Sequence, residues 1–287
     1  MMPVRPASVF RALLSGPDLI VAPGAYDALT ARLIEQAGFR LVYMTGAGIA
    51  AARGFPDYGL VTLTEMAETA GVLARSVAIP VLADADTGYG NELNVTRTVR
   101  EFESRGVAGI HLEDQVAPKR CGHLDGKAVI DRDAFVSKIR AAVAARSDPD
   151  FVMIARTDAV AVHGLDDAIE RANAALAAGA DLAFVEAPPS VDDVAAIPRR
   201  VDGPCLLNLV PGGKTPITDL QQVAAMGYRV VILPSLLIGA AVVACDAALS
   251  SLAGTRAVPG GSTAVRELFR RVGSEDWDAI SRRFAGR

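Results

Sequence analysis

Eight short apolar runs recur along this chain, and each stops on a polar residue or a turn before a stretch of helical periodicity begins. They cover residues 19–22, 41–44, 80–83, 109–112, 151–155, 182–185, 205–207 and 230–233. The runs are continuous rather than alternating, which is how strands buried on both faces of a parallel sheet read. Helical patterns fit the intervals at 8–14, 26–38, 64–77 (opening on a capping threonine), 94–106 and 166–178, and two of these end in glycine, as helix C-termini do. Eight such units predict an α/β fold, a (β/α)8 TIM barrel filling residues 1–287 as one domain, with a C-terminal helical extension at about 262–284. A doubly wound open sheet is the alternative. It is disfavoured because no GxGxxG follows the first run.

With 51% hydrophobic residues the chain can bury a core of barrel size. A net charge of -4 and a pI near 5.5, with no basic patch interleaved with aromatics, argue against a nucleic-acid partner. Cys121, Cys205 and Cys245 are far apart and form no CxxC pair, which suits a reducing compartment. Arg11 interrupts the N-terminal apolar run, against a signal peptide. The longest uncharged run, 230–245, reads as too short to span a membrane and carries Pro234, Ser235 and Gly239. A cytoplasmic protein without a membrane partner is expected.

The polar residues that end the runs carry the chemistry. Thr45, Asp84, Asp86, Glu113, Arg156, Glu186 and Asn208 all stand at or just past the C-terminal ends of runs, and in a barrel those ends converge on one face. Any one of them alone reads as a capping or solvated loop residue; together on one rim they read as a site. Asp84, Asp86 and Glu113 bring hard oxygens from neighbouring strands, and carboxylates that close repel unless a cation neutralises them. Without a His/Cys set, Mg²⁺ or Mn²⁺ is expected rather than zinc, with one direct carboxylate and the others acting through water. His111 and His123 read as satisfied structural histidines before they read as zinc ligands. Arg156, Asn208, Lys119, Arg120 and the amides of Thr45, Gly46 and Ala47 offer donors to an anion. The run Lys119-Arg-Cys-Gly-His123 is too polar for a core and too varied for a plain surface loop. Its Cys121 lies between cations, a setting that favours thiolate, and Gly122 lets the backbone come close to a ligand.

Asp84-Ala-Asp86-Thr-Gly-Tyr-Gly90, His111-Leu-Glu-Asp-Gln115 and Lys119-Arg-Cys-Gly-His123 together resemble the isocitrate lyase/phosphoenolpyruvate mutase superfamily, nearest its 2-methylisocitrate lyase-like branch, over roughly residues 20–284. The resemblance implies a barrel whose last helix is swapped between subunits of a homotetramer, a dimer of dimers. It implies Mg²⁺ on Asp86, with Asp84 and Glu113 holding the ion through water. Thr45, Gly46, Ala47, Asp57, Lys119, Arg120, Gly122, Arg156 and Asn208 would surround a small carboxylate substrate. Cys121 would be the general acid, on a loop of about 115–130 that closes over the site. Tyr43 is the candidate base, directly or through water, with His123 and Glu186 tuning the cysteine proton.

The implied reaction is carbon–carbon cleavage of a 2-hydroxy di- or tricarboxylate, of 2-methyl-branched malate or 2-methylisocitrate type. Its products are an α-keto acid, pyruvate, and a carboxylic acid such as succinate. There are departures from the branch. Thr45-Gly-Ala-Gly stands for Ser-Gly-Gly-Gly, and Gly239 stands where an arginine follows the proline matching Pro234. Arg266 is one residue out of register with a C-terminal arginine of the family. Asn208-Leu-Val-Pro-Gly-Gly-Lys-Thr-Pro216 is closer to the branch acting on oxaloacetate or alkylmalates. A substrate with two carboxylates is therefore expected, with Lys214 in reserve for a third. An oxaloacetate hydrolase or decarboxylase is the alternative. A phosphonopyruvate mutase or hydrolase is disfavoured, because those lack Cys-Gly-His, and a non-catalytic binding protein is disfavoured because no metal-site or loop residue is missing.

Overall fold

The computed structural model describes residues 5–285 except His123, Asp125, Thr218, Pro259, Gly261 and Ser262. Eight parallel strands close into a barrel in chain order: β1 (Ile20–Ala25), β2 (Val42–Met44), β3 (Val81–Asp84), β4 (Gly109–Glu113), β5 (Val152–Thr157), β6 (Leu182–Val185), β7 (Cys205–Asn208) and β8 (Val230–Leu233). β1 pairs with β8 from Ile20↔Val230 to Pro23↔Leu233, which leaves the sheet without an edge. The expected TIM barrel is the observed fold.

Although the runs look uniformly apolar, a period of two survives inside them. Tyr43, Leu82, Ile154, Phe184 and Ile232 pack together within the barrel. Their neighbours Val42, Met44, Val81, Ala83 and Met153 pack outward in a second cluster against the helices. The helix Pro6–Ser15 adds a fully buried Phe10 to the interior cluster. Arg5 to Asp148 (2.6 Å) and Arg11 to Asp181 (2.8 Å) pin that helix where β5 and β6 begin, so it stoppers the N-terminal end of the barrel.

Two expectations are corrected. The helix expected from Thr64 begins at Leu63 on an N-cap two residues earlier: Thr62 Oγ1 accepts from Glu65 N, and Glu65 reaches back to Thr62 N at 2.8 Å. The uncharged run is not broken at Ser235 and Gly239. Pro234 and Ser235 precede a 20-residue helix, Leu236–Thr255, and Gly239 lies in its first turn, where a glycine costs only about 1 kcal/mol. With mean hydropathy 2.0 this helix is long and apolar enough to cross a membrane, yet none of its residues is buried. Val242, Val243, Leu249 and Leu252 on it, with Phe269, Trp277 and Ile280 on the last helices, make an exposed apolar surface.

Candidate active site

Strand ends fix the first layer of the site. β3 ends on Asp84, whose Oδ1 accepts from Asp86 N at 2.9 Å, while Asp86 itself takes the left-handed region at φ 48°. Register sets Arg156 of β5 beside Glu113 of β4, and Nη1 comes 3.0 Å from Glu113 Oε2. The Arg156 Nε lies 3.0 Å from Asp158 Oδ2. Past β6, Glu186 accepts from Asn208 Nδ2 at 3.1 Å. Tyr43 Oη lies 2.9 Å from His111 Nε2 and donates to Asp84 Oδ2 at 3.3 Å. The His111 ring stacks on Tyr43 and meets Phe184 edge-on, so it is packed, although its buried Nδ1 makes no hydrogen bond and the histidine is not the fully satisfied one expected. Thr45 caps the short helix Gly46–Ala52, its Oγ1 accepting from Gly48 N at 3.2 Å. Gly46 lies against Asp84: a β-carbon there would sit 2.6 Å from Oδ2. Ala47 follows at the same helix end.

A loop forms the second layer. Gln115 and Val129 bridge antiparallel and Ile130 N donates to Asp114 O at 2.8 Å, so residues 115–130 leave and rejoin the barrel at one point. Lys119 turns inward, with Nζ 2.5 Å from Asp57 Oδ1 and 2.7 Å from Asp86 Oδ1. Cys121 N donates to Asp57 O at 3.1 Å. Gly122 backs onto Glu186, and Lys127 donates to Gly122 O at 2.6 Å and to Asp158 Oδ1 at 2.7 Å. Arg120 is not brought in. Gln115 clamps its backbone N and O, and its exposed guanidinium lies over Tyr58, 5.8 Å from the ring centre. The expected substrate donor at Arg120 thus points outward. His123 lies outside the described residues. Asp158 and Lys127 went unassigned in the sequence, since their pairing exists only once the loop lies across β5; the sole signal was an acid two residues past Arg156.

Asp57, Asp86, Glu113, Asp158 and Glu186 approach Lys119, Lys127 and Arg156 within ion-pair distance, and Asp84 lies 3.6 Å from His111. Burial is the largest influence on their protonation. Burial pushes Asp86 up to about 6; Lys119 opposes this, and Asp84 and Asp57 add to it. Burial also works against Asp84, yet its surroundings hold that carboxyl down at about 2. Because burial drives His111 down to about 4, it is neutral at pH 7, and Lys119 and Arg156 are the cations that keep Asp84 ionised. Glu113 is raised well above the carboxylate range by burial, against the pull of Arg156 and Lys119. Tyr43 is raised well above 10 by burial and by Asp84, so it is a phenol.

Asp86 Oδ1 and both Glu113 oxygens are buried and accept no hydrogen bond; Lys119 and Arg156 approach at ion-pair distance without hydrogen-bond alignment. Surplus hard oxygens with unused lone pairs fit a hard divalent cation. Among the described residues no three His, Cys, Asp or Glu converge as a ready ligand set. A cavity of about 500 Å³ opens beside Asp86 and Lys119, and one of about 230 Å³ is lined by Lys127 and Lys214.

The family model for phosphoenolpyruvate phosphomutase matches residues 10–253. A 2,3-dimethylmalate lyase of Eubacterium barkeri is 47% identical over 230 residues, 80% of each chain. A probable 2-methylisocitrate lyase of Corynebacterium glutamicum is 47% identical over 253 residues, 88% of this chain and 82% of that one. Among solved structures, oxaloacetate acetylhydrolase with 3,3-difluorooxalacetate superposes at TM-score 0.95 with 40% identity, covering 99% of both chains. Phosphonopyruvate hydrolase with oxalate and Mg²⁺ superposes at TM-score 0.89 with 31% identity, covering 98% of this chain and 100% of that one.

Proposed function

The chain belongs to the phosphoenolpyruvate phosphomutase family, and we propose that within it the protein is a divalent-metal-dependent carbon–carbon lyase. Its substrates are 2-hydroxy dicarboxylates of the 2-methyl-branched malate type, and its products are pyruvate and a carboxylic acid. The observation that carries this reading is the seating of 119–122: Lys119 on Asp57 and Asp86, Gly122 on Glu186, and Cys121 between them. The likeness to a dimethylmalate lyase supports the substrate class.

In this reading Asp86 would be the direct ligand of Mg²⁺ or Mn²⁺, with Asp84 and Glu113 acting through water. A bound ion supplies positive charge where negative charge develops as the bond breaks. Arg156 and Asn208 hold one substrate carboxylate; Thr45, Gly46 and Ala47 hold the other. Tyr43 is the base for the hydroxyl proton, directly or through water, and as a phenol it accepts that proton while passing its own to Asp84 Oδ2, 3.3 Å away. Cys121 protonates the carbon that is left with the electron pair, with His123 and Glu186 tuning its proton. The 115–130 loop keeps bulk water away meanwhile.

A third carboxylate would need its own cation in this enclosed site. Gly239 offers no side chain to a third carboxylate, and a β-carbon there would meet nothing within 4 Å, which supports a dicarboxylate. Lys214 is the remaining candidate for a tricarboxylate. The likeness to oxaloacetate acetylhydrolase supports a second reading, hydrolysis of oxaloacetate to oxalate and acetate. We also propose one domain, a cytoplasmic location in keeping with three cysteines that form no disulfide, and a homotetramer, a dimer of dimers, in which Leu236–Thr255 covers a partner's barrel. The exposed apolar surface supports that assembly.

The test is incubation with Mg²⁺ and, separately, 2,3-dimethylmalate, 2-methylisocitrate and oxaloacetate, with products identified by mass. Pyruvate and propionate from dimethylmalate are expected to form fastest. A ~100-fold preference for the tricarboxylate, about 2.7 kcal/mol, overturns the dicarboxylate reading. Oxalate with acetate as the only products favours the second reading. Full activity in excess chelator overturns metal dependence.

A further inference from the structure

Tyr89 has no part in the chemistry described so far, yet it carries two local costs. It stands between Gly88 and Gly90 at φ 61°, a left-handed conformation that is strained for a bulky residue. Its ring packs on the core, while its hydroxyl is sealed from solvent and makes no hydrogen bond. An unpartnered buried hydroxyl is a further cost. The groups that act electrostatically on that hydroxyl are Asp86 first, then Asp84, Lys119 and Glu113. Tyr89, Asp86 and Lys119 line the same cavity of about 500 Å³.

Asp86 Oδ1 and the Glu113 carboxyl meet Lys119 and Arg156 only at ion-pair distance, and with Tyr89 Oη they are buried oxygens without an aligned hydrogen bond. Waters carried by a divalent cation are strong donors that need such acceptors. We propose that Tyr89 is a positioning residue for the cation's water shell: its phenol oxygen accepts a hydrogen bond from a water on the ion held by Asp86, beside Glu113. The inference rests on the metal-dependent reading above and adds a residue to it. It also accounts for a strained tyrosine where glycines on either side already make the turn.

Tyr89→Phe keeps the ring and removes only the acceptor. Mn²⁺ binding, followed by electron paramagnetic resonance or calorimetry on the whole protein, is expected to weaken ~10-fold, the size usual for groups that orient a metal's ligands. The metal-free Tm is expected to hold or rise, because an unpartnered hydroxyl has gone, while the rise in Tm on adding metal shrinks. A tyrosine with a purely structural role gives the reverse pattern, a lower metal-free Tm and unchanged affinity. Tyr228→Phe is the control: its hydroxyl donates to Val194 O at 2.9 Å, so it should lose Tm and keep its Mn²⁺ affinity. Affinity of Tyr89→Phe within about 2-fold of the wild type overturns the role of Tyr89 alone, since orienting groups act more strongly than that. Wild-type protein that binds no divalent cation overturns this role and the metal-dependent reading together.

Discussion

Gly122 and Glu186 meet with no room for a side chain between them: a β-carbon on Gly122 would lie 2.2 Å from Glu186 Oε1 and 2.6 Å from its carboxyl carbon. The need for glycine comes from close approach and not from a turn. A loop residue nine positions past β4 is thereby seated on an acid that follows β6.

Gly122→Ala should therefore unseat the loop and spare the fold. We expect kcat/KM to fall ~100-fold or more, about 2.7 kcal/mol, with Tm unchanged. Limited proteolysis within 115–130 should quicken. A variant with normal turnover would show that the contact is incidental.

Lys119 neutralises two buried acids, Asp57 and Asp86. Lys119→Met leaves both without that partner, a loss of roughly 3–5 kcal/mol for a buried pair. Metal-free Tm should drop, and added Mg²⁺ should raise it by more than in the wild type, because the ion then supplies the missing charge. Thermal melts with and without chelator decide the matter. An unchanged metal-free Tm would contradict the buried pairing.

His111 predicts acid sensitivity. Burial moves it from 6.5 down to about 4, so between those values the unfolded chain binds a proton that the folded chain does not. Stability must then fall as pH drops from about 6.5 to about 4, by on the order of 3 kcal/mol from this group. Asp86, raised to about 6, works in the opposite sense over an overlapping range, because the folded state holds its proton longer. Urea unfolding of wild type and His111→Gln at several pH values isolates the histidine: the difference between them should shrink on acidification.

Cys121→Ser substitutes a hydroxyl whose proton is far harder to lose. Turnover should fall by ~10²–10⁴ with KM largely kept, as expected when a group acts only in the transition state. Steady-state kinetics on the cleaved substrate measure both constants. Near-normal kcat would remove Cys121 from the role of acid.

The barrel was legible because strands such as 152–155 and 230–233, buried on both faces, are apolar throughout, and because their polar stops fall on one rim. Asp84, Asp86, Glu113 and Arg156 could be read that way since strand register alone brings them together. The outward turn of Arg120 could not. It follows from the Gln115 side chain gripping the Arg120 backbone, a contact across a loop with no periodicity of its own. The ion pair of Lys127 with Asp158 was hidden for the same reason. The helix Leu236–Thr255 was misjudged from composition: Pro234 and Ser235 looked like an interruption but stand before its first turn.

Phe10 gives the barrel a closed floor. A vessel with one opening has one traffic lane, and a reaction that makes two molecules from one must send both out along it. The first product to leave clears the way for the second, and a high concentration of that first product outside the doorway holds the second inside. Ordered release is therefore the expected outcome: one product should inhibit competitively and the other noncompetitively, and competitive inhibition by both would show that they leave independently.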